Sequence, residues 1–281
     1  MEKPPRYVTL RDGTVPVELL GSGPSVLLLH GLSAHRQVWA PVLRPLRARF
    51  TLCLPDLLSR GESEARPEAS YRLSRELERI RELLARCELA PLILVGHSQG
   101  AALAAALAAE EHGVAGLVLA NPVTPWTHRP RLLRILGRPA TRRVLAGLLV
   151  PARRPLARHL LRRAYGPGTR PTRVTVERFA GPYRSPRRAT TLLRALAEWH
   201  PAELAGRLPT RSLAGRVLAG DRDRRIGVEA PGRLAARLGL RFEVLRGAGH
   251  VIPQERPEAI ARAVEETYRE ILEGRRERTT G

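Results

Sequence analysis

Leu92-Ile93-Leu94-Val95-Gly96-His97-Ser98-Gln99-Gly100-Ala101-Ala102-Leu103 joins an apolar run to an alanine-rich stretch, with one serine set between two glycines. Four consecutive aliphatic residues suit a strand covered on both faces, and the alanines that follow suit a buried helix. The turn between them must be tight. It holds the serine in a strained backbone conformation, and a Cβ at either flanking position would collide with neighbouring chain. Such a turn presents one hydroxyl at the C-terminal end of a strand. The Gly-x-Ser-x-Gly pattern is common by itself, so its weight depends on what surrounds it and on a fitting acid and histidine downstream.

Outward from this stretch, strands and helices alternate. Tyr7–Leu10 and Val15–Leu19 read as two strands joined by an Asp12-Gly13 turn. Ser25–Leu29, Phe50–Leu54, Gly116–Ala120, Arg216–Ala219 and Phe242–Leu245 are further strand runs. Tyr71–Cys87 is a helix with Leu73, Leu77, Ile80, Leu83 and Leu84 on one face, and Pro231–Leu238 and Glu258–Leu272 are also helical. This alternation predicts an α/β class: a mostly parallel, doubly wound sheet with helices on both faces. Between residues 122 and 208 the alternation stops, and prolines punctuate short Leu/Arg segments. We read this as an inserted, mostly helical lid, with the core formed by 1–121 and 209–281. An insertion there lies beyond the strand C-termini, where open sheets bind ligands. The polar tail from Gly274 to Gly281 is expected to fray.

The chain has 281 residues, 43% hydrophobic and 27% charged, enough for a substantial core. Two cysteines, Cys53 and Cys87, make no disulfide framework and read as inert buried thiols. Residues 1–6 carry no apolar signal core, and the apolar stretch Leu92–Ala109 is interrupted by the serine turn, so a cytoplasmic location is expected. The formal net charge is +21, carried by 47 arginines and Lys3. From Arg129 to Arg194 there are eighteen arginines and one acid, Glu177. Three readings of that lid charge stay open. It is a solvated face; or it attracts an anionic substrate or acidic carrier protein; or it meets anionic membrane, with Leu145–Val150 dipping between Arg142-Arg143 and Arg153-Arg154. No motif accompanies the charge that would indicate specific nucleic-acid binding.

A serine hydroxyl needs a base to act as a nucleophile near neutral pH. His250, in Gly247-Ala248-Gly249-His250 after the last strand, reaches the same sheet edge as Ser98. That imidazole needs a carboxylate to fix its tautomer. The chain has four aspartates, and Asp221 and Asp223 both fall between the serine and the histidine, after the strand at Arg216–Ala219.

With His30-Gly31-Leu32, Gly96-His97-Ser98-Gln99-Gly100, Gly220-Asp221-Arg222-Asp223 and Gly249-His250 in this order, the chain resembles the α/β-hydrolase superfamily, in its lid-bearing branch of esterases, lipases and C–C hydrolases. The resemblance spans the chain outside the lid. It selects Asp223 as the acid through the family's Gly-x-x-Asp, with Asp221 as the second candidate. It also makes the Leu32 and Gln99 amides the oxyanion donors, and it fits Trp39. One departure is Asp56-Leu57-Leu58-Ser59-Arg60-Gly61-Glu62-Ser63, where Ser59 replaces the first glycine of Asp-x-x-Gly-x-Gly-x-Ser. Trp126, Tyr165, Phe179, Tyr183 and Trp199 are candidates to line the acyl pocket. The resemblance implies a serine hydrolase of carboxylic esters working through an acyl-enzyme, with no cofactor and no metal site. The alternatives are a C–C bond hydrolase of a dienoic diketone and a non-catalytic protein that binds through the cationic lid.

Overall fold

The computed structural model describes residues 4–128 and 135–280. β1 (Arg6–Leu10) and β2 (Gly13–Leu20) form the expected hairpin, closed by Leu10 opposite Gly13. β3 (Ser25–Leu29), β4 (Thr51–Pro55), β6 (Ile93–His97), β7 (Gly116–Ala120), β8 (Ala214–Gly220) and β9 (Arg241–Leu245) are all parallel. The order across the sheet is β1-β2-β4-β3-β6-β7-β8-β9, with the two-residue β5 (Glu64–Ala65) paired to β2. β5, too short to leave a sequence pattern, was not expected.

Successive residues of the continuous apolar strands point to opposite faces. Leu27, Leu29, Leu94, Leu117 and Val217 join one core layer, whereas Val26, Leu28, Val95, Val118 and Leu218 join the other. The first layer is covered by α2 (Leu73–Arg86), α3 (Gln99–Glu110) and α7 (Glu229–Leu238). The second is covered by α1 (Ala40–Leu46) and α9 (Pro257–Thr280). Seven of the twelve residues of α3 are alanine, which lets it lie close against the sheet. A short α8 (Ile252–Glu255) precedes α9. α9 continues as helix to Thr280, so the tail expected to fray from Gly274 is instead the last turns of this helix. Its charged residues extend beyond the buried face at little helix-propensity cost.

Strand order reverses at β3, which pairs with β4 on one side and β6 on the other. The chain leaves β3 at His30 and β6 at Ser98, so these adjacent strand ends bracket a topological switch point, where such sheets form a crevice.

Between β7 and β8 lie α4 (Pro139–Ala164), α5 (Arg173–Ala180) and α6 (Pro186–Glu198). Arg129, Arg131 and Arg134, expected in the lid, fall outside the described residues. α4 corrects the expectation of short proline-bounded segments, because it runs unbroken through Pro151 and Pro155. Each proline removes the bond to a carbonyl four residues back, at Gly147 and Pro151. Gly147, Pro151 and Pro155 are all exposed, so water can satisfy those carbonyls. The opposite side of α4 packs on α6, with Ala146 buried against Ala189 and Leu193. Within Leu145–Val150 only Gly147 and Leu148 stay exposed. Side chains cap the other two helices: Thr172 Oγ1 accepts from Thr175 N at 3.1 Å, and Ser185 Oγ from Arg188 N at 3.4 Å. The insertion is tied to the core where Arg188 donates to the Gly61 and Ser63 carbonyls at 2.9 and 2.8 Å. Glu198 adds a second tie, accepting from Tyr71 N at 2.7 Å. Among the described residues, no helix is long and apolar enough to cross a membrane.

Candidate active site

Ser98 lies between β6 and α3 with φ 55° and ψ −117°, a backbone conformation that L-residues rarely adopt. The flanking glycines have a steric reason. A Cβ on Gly96 would run into the backbone of Ala101, and one on Gly100 would run into the Leu29 carbonyl. The turn after β3 is tight but less so, since a Cβ on Gly31 would stand 3.2 Å from the Ser98 Cβ.

His250 Nε2 is 3.2 Å from Ser98 Oγ, and His250 Nδ1 is 2.7 Å from Asp223 Oδ2. An ionised carboxylate can only accept, so the ring proton sits on Nδ1 and Nε2 is free to accept from the serine. Asp223 is buried. Burial pushes its carboxyl upward, but the hydrogen bond and charge of His250, joined by the Arg225 and Ile226 amides, outweigh burial and hold it below the usual carboxylate range. Those amides reach Oδ1 at 2.8 and 3.2 Å. Asp221, the second candidate, turns away: it accepts from Gly247 N at 2.7 Å and lies 3.9 Å from Arg222.

The histidine loop is fixed from several sides. His250 N donates to the Ala164 carbonyl at the end of α4 at 2.6 Å. Its own carbonyl accepts from His97 Nε2 at 2.7 Å and Asn121 Nδ2 at 2.9 Å. Glu255 is buried and accepts three backbone N–H groups: Gly249 at 3.0 Å, Val251 at 3.0 Å and Gly166 at 2.7 Å. One carboxylate thus ties the histidine loop to the insertion.

Arg60, inside the motif that departs from the family pattern, has no exposed surface. It pairs with Glu76 at 2.8 Å and donates to the Leu32 carbonyl at 3.2 Å and Gln99 Oε1 at 3.0 Å. Asp56, also fully buried, accepts from Arg36 Nη1 and N at 2.6 Å each, and from Glu62 N at 2.8 Å. Ser59, standing where the family has glycine, takes φ 65°, the left-handed region that glycine would occupy freely. Arg60, Asn121 and Glu255 were missed from sequence. Among so many arginines, residue type carries no signal for which guanidinium is buried.

A cavity of about 790 Å³ opens over Ser98, Gln99, Leu32 and His250. Of the expected pocket residues, Phe179, Tyr183 and Trp199 line it. Trp126 and Tyr165 do not, which corrects that expectation. Trp126 is exposed, with the Arg233 guanidinium 4.0 Å above its ring. Tyr165 directs its hydroxyl to Gln254 and borders a separate cleft of about 550 Å³ flanked by Arg162, Arg163, Arg170, Arg222 and Arg224. Burial raises the Cys53 thiol well above its ordinary value, in keeping with an inert side chain.

Residues 26–263 match the model of the alpha/beta hydrolase family. The chain is 32% identical over 121 residues to 2-(acetamidomethylene)succinate hydrolase of Mesorhizobium japonicum, covering 43% of each chain. It is 38% identical over 88 residues to pimeloyl-[acyl-carrier protein] methyl ester esterase of Chromobacterium violaceum, 31% of this chain and 32% of that one. These alignments span 43% and 32% of the relatives' own length. Among solved structures, an alpha/beta hydrolase fold protein from Burkholderia ambifaria superposes with a TM-score of 0.81 at 23% identity, covering 94% of this chain and 98% of the other. A thermophilic esterase from Thermogutta terrifontis does so with a TM-score of 0.76 at 23% identity, covering 95% and 99%. With most of its length matched by the family model, and with its sheet shared by these structures, the chain belongs to the alpha/beta hydrolase family.

Proposed function

We propose that the protein is a serine hydrolase that cleaves carboxylic esters through an acyl-enzyme. The observation that carries this reading is the continuous hydrogen-bonded chain from Ser98 through His250 to Asp223, anchored on a strained turn at the floor of an apolar cavity. Ser98 Oγ attacks the ester carbonyl as His250 Nε2 takes its proton, and Asp223 stabilises the imidazolium. The Leu32 and Gln99 amides receive the developing oxyanion, a contribution of about 3 kcal/mol per donor in comparable sites. As the tetrahedral adduct collapses, His250 returns the proton to the departing alcohol. Water activated by the same imidazole then attacks the acyl-enzyme and releases the acid. The helical insertion acts as the lid that shapes the acyl pocket through Phe179, Tyr183 and Trp199.

The test combines labelling with turnover. A fluorophosphonate probe should modify Ser98, and Ser98→Ala should lose both labelling and hydrolysis of p-nitrophenyl esters while melting like the parent protein. A well-folded protein that neither labels nor turns over any ester in a chain-length series would favour a binding role and sink the enzymatic reading.

A further inference from the structure

The wall of the cavity over Ser98 is mostly apolar and aromatic side chains, Leu foremost. Besides histidines, its titratable basic side chains among the described residues are Arg153 and Arg225, and it carries no carboxylate there. The segment 129–134, outside the described residues, contains no acid either. Arg153 stands on α4, where one guanidinium nitrogen donates to the Val150 carbonyl at 2.8 Å. Arg225 comes from the core. Its backbone N–H binds Asp223 Oδ1 at 2.8 Å, so the turn that fixes the acid also fixes the position from which Arg225 enters the cavity.

Both side chains are half-buried, and neither forms an ion pair among the described residues. Desolvation lowers the Arg225 pKa, and Asp223 opposes this only by its charge, without an ion-pair contact. A guanidinium against apolar wall without a bonded anion is costly unless a ligand supplies one. Its planar fork of donors suits a carboxylate better than a neutral carbonyl.

We propose that Arg225 and Arg153 bind an anionic group on the acyl part of the substrate, so that the enzyme prefers esters whose acyl chain ends in a carboxylate. This rests on the hydrolase reading above and narrows it to hemiesters of dicarboxylic acids. The arginines on the exposed face of α4, Arg143, Arg158 and Arg162 among them, give the approach to the cavity a positive field that would draw such a substrate in.

The readout is the ratio of kcat/KM for phenyl hydrogen glutarate to that for the neutral, similar-sized phenyl pentanoate. The ratio should be about ten or more, as expected for a charge-assisted hydrogen bond. It should fall towards one in Arg153→Met/Arg225→Met, mainly through KM for the hemiester. It should also shrink when salt is raised from about 50 to about 500 mM. An equal preference for the two esters, or a preference that survives in the double variant, would overturn the proposal. A merely structural role for the arginines would lower both rates and leave the ratio unmoved, which also overturns it. Calorimetry with glutarate on Ser98→Ala protein needs no turnover and so separates the anion site from the chemistry. Binding that weakens about tenfold in the double variant supports the site, and no binding rejects it.

Discussion

The Arg60 guanidinium donates to the side-chain oxygen of Gln99, the residue after the nucleophile, at 3.0 Å. The same group reaches the Leu32 carbonyl at 3.2 Å, so one buried side chain holds both peptide segments whose amides we propose as the oxyanion donors. Arg60→Met should therefore lower kcat by about 10- to 100-fold with little change in KM, a fraction of the loss from deleting an oxyanion donor outright. Removing the cation takes one of two ion-pair partners from buried Glu76, which keeps Arg79 at 3.1 Å, so stability should fall by about 2 kcal/mol, the scale of a lost hydrogen bond to a charged group. Arg60→Met/Glu76→Gln separates the two effects. Recovery of the melting temperature without recovery of kcat is the expected outcome, and recovery of both would show that Arg60 serves only the fold.

The two aspartates after β8 should behave oppositely. Asp223→Asn should cost about 10⁴-fold in kcat by disturbing the His250 tautomer. Asp221→Asn, which only loosens a bond to Gly247 N, should stay within about threefold by the small effects usual at exposed sites. Comparable losses in steady-state assays of both variants would remove Asp223 from its role.

Ser59 pays for its positive φ, and Ser59→Gly relieves that strain. The variant should be more stable by about 1 kcal/mol, the usual cost of left-handed backbone for an L-residue. A thermal melt should rise by about 2–4 °C for a chain of this size. An unchanged or lower midpoint would mean that the serine side chain compensates for its backbone.

Acid should destabilise the fold well before the carboxylates titrate. Burial, the largest influence on each, lowers His30 and His97 from 6.5 to about 3 and His35 to about 4. The His30 arrangement shows why: Leu57 N donates to its Nε2 at 2.9 Å, a bond that protonation would break. The unfolded chain takes up these protons below about pH 6.5, whereas the folded chain does so only near 3 to 4. The stability contributed by the neutral rings is therefore complete above about pH 6.5 and is lost as pH falls, by about 1.4 kcal/mol per pH unit for each histidine. Asp223, shifted below its ordinary 3.8, loses its contribution only at lower pH. Urea unfolding at about pH 7 and about pH 5 should show this slope. His97→Asn should reduce it by one histidine's share, and an unaltered slope would refute the assignment to His97.

The sheet was legible from the chain itself because its cause is local. Val26, Leu28 and their neighbours form unbroken aliphatic runs that require cover on both faces, and alternation with helical periodicity then dictates parallel strands. Gly96 and Gly100 marked the serine turn because only glycine fits where a Cβ would strike Ala101 and Leu29. The order of Ser98, the paired aspartates and His250 could likewise be read in one dimension. Asp223 rather than Asp221 was picked out by the family resemblance, but that α4 passes through two prolines, that Trp126 and Tyr165 lie away from the cavity, that Arg225 lines it, and that Arg60 and Glu255 brace the loops around it were decided by tertiary structure alone. Each depends on burial and on partners distant in sequence: an arginine's stem and charge look the same in a chain of 47 arginines until packing shows which ones water can reach.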